Sequence, residues 1–396
     1  MTAALWLAAA AWGAPDLDAP ADVEVDDDVT AATAPGAGGV DEAVELSGFV
    51  KPVFSAVYRG SALPRDRLAV GLTSSTAGIV LRGEPVDHWR YKVFFTVGAG
   101  TFPVLVGARG VDLDNQGGLD RVDVDTAGAL GDIVRETSIT WAPVDAFAIR
   151  AGRMPVPFTS AAQSADTALL FPERAGPNQV FLADDDLGAL LELTLPEDRV
   201  LAKAGVFNGS GTGPSGGERG VLYLARVDLQ PLGPFAFDET RPLRSKPRLG
   251  LGAGAIWHPY RAFDAVGFER VGVNDLRLSG SFRFSAAGLS VAVEGLYRLQ
   301  TDTLTSRPLS ATGAYAQGGW RLPIAIEPIG RVGWSAVDRT FDPRTTVWTE
   351  GGLNVYPAHG DAGRDAIRLT FVYQGEHRVT EGETAHGAVA AAVLTF

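Results

Sequence analysis

From about Leu46 onward the chain repeats one device: segments of about ten residues in which apolar and polar side chains alternate, separated by turn residues. Trp89, Tyr91, Val93, Phe95 and Val97 share one face, with Arg90, Lys92 and Thr96 on the other. Leu276, Leu278, Phe282 and Phe284 oppose Arg277, Ser279, Ser281 and Arg283. Ile367, Leu369, Phe371 and Tyr373 oppose Arg368, Thr370, Gln374 and Glu376. A period of two is the period of a strand, whose successive side chains point to opposite faces. The chain is therefore expected to be all-β.

Sixteen strands are expected, near 46–58, 68–82, 89–98, 132–141, 146–154, 187–195, 200–207, 220–229, 248–257, 274–284, 289–299, 311–321, 328–337, 347–356, 366–376 and 387–396. Links after even strands are mostly short (Ala142 to Asp145, Ser285 to Gly288), and links after odd strands mostly long (Ala99 to Gly131, Asn208 to Arg219). An even-stranded membrane barrel has this arrangement, with both termini on the side of the short turns. A soluble sandwich also alternates apolar and polar residues. Two features favour the membrane: arginines in mid-strand on the polar faces, as in a wet lumen, and Trp141, Trp257 and Tyr356 at strand ends beside proline, where an interfacial belt would hold them. The link Gln230 to Pro247 is too long for a short turn, so it holds a plug-like excursion or a further hairpin.

No nucleic-acid partner is expected, and the acidity of the chain as a whole is unevenly spread. The formal net charge is −13, but ten of the 47 acids fall in residues 1–45 with no base, leaving 37 acids against 34 bases in the rest. The absence of cysteine removes disulfides, thiolate metal sites and cysteine nucleophiles together. Ala3 to Gly13 is apolar and too short to span a bilayer, which reads as a secretory signal over residues 1–13. Residues 14–45, rich in Asp, Ala, Pro and Gly, bury too little to order themselves and are expected to be an acidic periplasmic spacer; the barrel is 46–396.

The strand Phe147 to Met154 runs into Pro155 and Pro157, which have no N–H to donate to a ladder, so the chain must leave the sheet there. It returns near Leu187. A link of this length is expected to be functional or disordered, and the expectation here is an inward-folded constriction loop between strands 5 and 6. Its landmarks are Gly152-Arg153-Met154-Pro155-Val156-Pro157-Phe158, Glu173-Arg174 and, past the next strand, Gly205-Val206-Phe207-Asn208-Gly209.

These landmarks resemble those of the phosphate-selective porin O and P family. The chain's end also resembles the assembly signal of bacterial outer-membrane proteins, with Phe396 last and Leu394, Ala392, Ala390 and Ala388 on the same face. The resemblance implies a homotrimeric porin in the outer membrane of a Gram-negative bacterium, surrounded by lipid and lipopolysaccharide and folded by the barrel-assembly machinery. It implies no catalytic residue, metal or cofactor. The expected anion path is Arg90, Lys92, Arg150, Arg153, Arg174, Lys203, Arg226, Arg277, Arg283, Arg298, Arg321, Arg331 and Arg368, facing Glu136, Glu192, Glu294, Glu350 and Glu376. Lumenal cations lower the barrier to anions, and a guanidinium fork fits phosphate or carboxylate. The alternative is that these arginines pair with the acids and stiffen the barrel.

The chain departs from the family's lysine-dense constriction. Thr159 to Asp186 contains no Lys, a single Arg and the run Asp184-Asp185-Asp186. The expectation is therefore a diffusion porin for small hydrophilic solutes with modest anion preference. The alternatives are a plugged structural or adhesive barrel and, behind it, a barrel enzyme. Asp112-Leu113-Asp114-Asn115-Gln116-Gly117 resembles a calcium loop but lacks the terminal Glu. Gly209 to Gly213 lacks the Lys of a phosphate-cradling loop, and His88, His258, His359, His377 and His386 show no ligand spacing.

Overall fold

In a computed structural model of the chain, the described residues are 44–59, 68–98, 109–111, 121–123, 134–183, 185–195, 198–209, 218–235, 237, 239, 246–263, 269–302, 308–338, 343–358 and 367–396. The strands in chain order are β1 (Glu45–Arg59), β2 (Leu68–Val86), β3 (Trp89–Gly98), β4 (Arg109–Val111), β5 (Arg121–Asp123), β6 (Val134–Val144) and β7 (Phe147–Pro155). Two four-residue helices follow, α1 (Ser160–Gln163) and α2 (Asn178–Phe181). Then come β8 (Asp185–Leu195), β9 (Val200–Phe207), β10 (Glu218–Gly220), β11 (Leu222–Leu229), β12 (Arg248–Phe263), β13 (Glu269–Ala286) and β14 (Leu289–Asp302). The last are β15 (Pro308–Trp320), β16 (Ile326–Asp338), β17 (Arg344–Ala358), β18 (Ile367–Arg378) and β19 (Glu383–Thr395).

Every pairing is antiparallel, and β19 returns to β1, so the sheet closes. β10 and β11 both pair with β12 and form one stave interrupted at Val221; β4 and β5 pair only with each other. The result is a 16-stave barrel whose staves coincide with the sixteen expected strands, plus the β4–β5 hairpin, which the pattern did not predict. Three-residue strands are too short for a period of two to register. No described helix is long and apolar enough to cross a membrane.

Alternation places the apolar faces outward. On β11, Leu222, Leu224, Arg226 and Asp228 are buried while Tyr223, Val227 and Leu229 are exposed. The same phase exposes Phe54, Ile79, Phe95, Leu251, Leu278, Phe282, Val293, Phe371 and Leu394, a lipid-facing band around the barrel. Trp89, Trp141 and Phe147 cluster on the outer face, with ring centroids 6.3 and 6.2 Å apart. Trp257 stacks on Tyr223 at 5.3 Å. Trp141 lies near the end of β6 as expected, whereas Trp257, expected at a strand end, lies within β12, which continues through His258 and Pro259 to Phe263. Tyr356 is not on the outer face: it is 2 % exposed and points inward, because it shares the phase of buried Asn354. Proximity to proline marked a strand end, but the period of two sets the face.

One rim carries tight turns, such as Ala287-Gly288, where both residues have positive φ (49° and 80°), as a two-residue hairpin of matching twist needs. At this turn rim the barrel is also sealed: Phe396 and Gly48 exchange backbone hydrogen bonds of 2.9 and 3.0 Å. The Phe396 ring lies over Gly48, where a Cβ would be 2.7 Å from it. The terminal aromatic therefore completes the β1–β19 seam.

The signal segment 1–13, nearly all of the spacer 14–45, Asp112 to Gly117, Asp184, Ser210 to Gly213 and His359 lie outside the described residues.

Candidate functional site: the barrel lumen

After β7 the chain turns inward and residues 156–183 hydrogen-bond to strands far around the barrel. Thr159 caps α1 through its Oγ1 (3.0 Å from the Ala162 N–H), and the Ser160 N–H donates to Glu294 on β14 at 2.7 Å. The Phe158 carbonyl accepts from Arg226 on β11 (2.7 Å) and Ser279 on β13 (2.9 Å). Further along, the Thr167 carbonyl accepts from Arg368 on β18, Leu170 from Asn354 on β17 and Glu173 from Arg331 on β16. The carbonyls of Phe181 and Leu182 accept from Arg277 on β13. Lys51 on β1 donates to the Asp166 carbonyl at 3.1 Å. A segment this poor in regular structure has many carbonyls to satisfy, and wall cations satisfy them.

Apolar contacts complete the attachment. Met154, Val156, Phe158 and Phe181 are at most 1 % exposed and pack with Leu190, Phe207, Leu222, Leu224, Ile256 and Leu296 from β8, β9, β11, β12 and β14. Leu170 and Phe171 pack against Ile329 and Val372. Each buried aromatic or leucine removed from a wet lumen contributes on the order of 1.5–3 kcal/mol.

Most residues expected on the anion path have partners. Arg226 donates twice to Asp228 and is fully buried; Arg150 pairs with Glu192 at 3.3 Å, and Lys92 with Glu136. Arg277 and Arg298 share Asp275, at 2.9 and 2.7 Å. Arg331 pairs with Glu350 and lies 4.2 Å over the Phe171 ring; Arg321 lies 4.0 Å over Tyr356. Lys203 donates to Gln163 at 2.6 Å. Arg283 donates to the Phe237 carbonyl at 2.8 Å. Arg153 lies at the end of β7, near Asp185 and Asp186. Arg90 is exposed on β3.

Arg174 is not on the wall at all. It fastens the lumen segment to itself through Asp166 (2.5 Å) and the carbonyls of Ala161 (3.1 Å) and Ser164 (3.0 Å). Arg135 on β6 reaches the same carboxylate at 3.3 Å. Burial by itself would raise the Asp166 pKa, but Arg174, Arg135 and Lys51 together hold it below its ordinary 3.8. A depressed carboxylate contributes stability that is fully present above 3.8 and is lost as pH falls through its lower folded value. The attachment around Asp166 should therefore hold from neutral pH down to about 4 and loosen below that. Single-channel conductance across this range checks it, and an Asp166→Asn variant should show the acid behaviour at neutral pH.

Several lumenal groups escaped the sequence reading: Asp228, Asp275, Glu327, Asn354 and Glu239. Glu327, fully buried, accepts from Tyr356 (2.5 Å) and Asn354 (2.9 Å), and Asn354 also holds Leu170. A signal existed for two of them. Asp228 and Asp275 stand two residues from Arg226 and Arg277, hence on the same strand face.

A cavity of about 160 Å³ lies between residues 172–176 and the inner faces of β16 to β19 and β1. Glu173, Arg331, Trp348, Glu350, Gln374 and Glu376 line it.

The model of the phosphate-selective porin O and P family matches residues 112–232, the stretch that includes the lumen segment. No protein of curated function matches the sequence. Among solved structures, the anion-selective porin from Comamonas acidovorans is similar over 89 % of this chain and 99 % of its own, with a TM-score of 0.57 at 10 % identity. The outer membrane channel DcaP of Acinetobacter baumannii covers 89 % and 97 % with a TM-score of 0.56 at 11 % identity. OmpT of Vibrio cholerae gives the same coverage, TM-score and identity. The chain thus has the closed 16-stave barrel fold of these solved outer-membrane porins, and its residues 112–232 are similar to the phosphate-selective porin O and P family.

Proposed function

We propose that the protein is a passive diffusion channel for small hydrophilic solutes in the outer membrane of a Gram-negative bacterium, and not an enzyme. The observation that carries this reading is a closed barrel with a lipid-facing apolar band, whose polar interior is crossed by one segment from the loop rim. That segment narrows the path. A modest anion preference is supported by bases of the inner faces such as Arg90, exposed on β3, and Arg368 on β18, which donates to the Thr167 carbonyl. The homotrimer is supported by OmpT of Vibrio cholerae, which is described in a trimer form. The exposed band supports lipid and lipopolysaccharide as surroundings, and the Phe396 seam supports recognition by the assembly machinery.

A plugged structural barrel is the second reading, favoured by the buried apolar contacts of the lumen segment. Single-channel recording of refolded protein in planar bilayers, with reversal potential under a salt gradient, separates them. Discrete steps with a reversal potential on the anion side are expected. Replacing residues 160–181 by a short Gly-Ser link should raise the step size several-fold; an unchanged step would remove the narrowing role, and silence from folded barrels would establish the plugged reading.

A further inference from the structure

The link between β11 and β12 starts at the turn rim, where its neighbours are tight turns, yet its described residues go into the lumen. A turn at Gln230 to Gly233 starts it (Gly233 N–H to Gln230 carbonyl, 3.0 Å), and the Gln230 side chain accepts from the Phe235 N–H at 2.6 Å. Phe235 is 7 % exposed. The Phe237 carbonyl accepts from Ser164 Oγ (2.6 Å) and from Arg283 Nη1 (2.8 Å), and its ring lies under Arg283 and Lys203 at 5.2 and 5.7 Å. Glu239 closes the clasp twice: its N–H donates to the Ala168 carbonyl (2.9 Å) and its Oε2 accepts from the Leu170 N–H (2.8 Å). Two segments from opposite rims thus hold each other inside the barrel. Of the two alternatives for this link, its described residues form the excursion.

The clasp has a side. Its partners on the wall are β9 and β13, and the void left beneath it, about 20 Å³ against Ser285, Ser290 and Gln317, holds no more than a water molecule. The 160 Å³ cavity lies on the other side of the lumen segment, against β16 to β19 and β1. We propose that Phe235, Phe237 and Glu239 form a second constriction element, which seals the β9–β15 half of the lumen and confines solutes to a lane along β16–β19 and β1, past Gln374. The proposal rests on the channel reading above. Along the lane Arg174 donates to Asp166, Arg331 to the Glu173 carbonyl and to Glu350, and Arg378 to Glu376.

The chain has no cysteine, so a single engineered thiol reports on the lane alone. In a Gln374→Cys variant, a bulky cationic methanethiosulfonate reagent is expected to cut single-channel current at least five-fold. A second barrel adds the replacement of residues 231–246 by Asn-Gly, a two-residue hairpin turn, with folding checked by heat-modifiable migration. Before reagent it should conduct about twice as much, and after reagent at least half of its current should survive through the opened half. Should that replacement not fold, Phe235→Ala, Phe237→Ala and Glu239→Ala together release the same clasp. Current unaffected by the reagent overturns the lane, and full block with unchanged conductance in the released barrel overturns the seal. A native barrel that is silent but conducts once released overturns the lane and favours the plugged reading. Silence from both folded barrels overturns the channel reading itself, and the proposal with it.

Discussion

Replacing Asp275 by alanine should destabilise the barrel by about 3–5 kcal/mol, the range for removing one partner of a buried charge cluster. Asp275 is fully buried and accepts from both guanidinium groups, Arg277 at 2.9 and 3.2 Å and Arg298 at 2.7 and 3.0 Å. Arg277 and Arg298 are directly opposite on β13 and β14, so loss of the carboxylate leaves two cations facing each other without the acid they share. Arg277 also holds the carbonyls of Phe181 and Leu182, so the lumen segment should loosen where it returns to the wall. Urea unfolding in detergent micelles checks the stability, and adding Arg298→Gln should restore part of it. If Asp275→Ala unfolds at the native urea concentration, the cluster is neutralised from elsewhere and this account of the wall is wrong.

Gly152→Ala is expected to cost about 1–3 kcal/mol in backbone strain alone, the ordinary range for a non-glycine residue in such a conformation. Gly152 has φ 131°, and a Cβ there would sit 2.1 Å from the Thr137 carbonyl oxygen, a backbone atom in the adjacent strand that cannot swing aside. The expected consequence is a local break of the β6–β7 register between Thr137 and Ser138, with loss of the geometry that launches Met154 and Phe158 into the lumen. Conductance and unfolding should therefore change together. A variant with native stability and native conductance would mean that the β6–β7 ladder tolerates the bulge.

The two substitutions differ in what could be read beforehand. Gly152 belongs to the stretch Gly152-Arg153-Met154-Pro155-Val156-Pro157-Phe158, where the prolines already required the chain to leave the sheet. That is local chemistry, and it was legible. Asp275 was not among the acids expected on the inner faces, although it stands two residues from Arg277 and so on the same face. Its sharing between Arg277 and Arg298 depends on the β13–β14 register, which period-two patterning restricts only to even shifts. Tyr356 shows the converse error, in which a neighbouring proline was given more weight than the phase set by Asn354.

Composition and alternation by themselves determined the strand number, the faces of most strands, the two kinds of rim and the point where the chain turns inward. All of these follow from rules acting over a few residues: side-chain period, missing proline donors, turn geometry. What only the tertiary structure decided is the use of the polar faces. Arg226, Arg277, Arg283, Arg331 and Arg368 look alike along their strands, yet each ends on a carbonyl brought to it from 46 to 201 residues away in the chain. A buried carbonyl must find a donor, and a lumenal arginine finds an acceptor wherever the closed barrel brings one close; neither requirement leaves a mark in the local sequence.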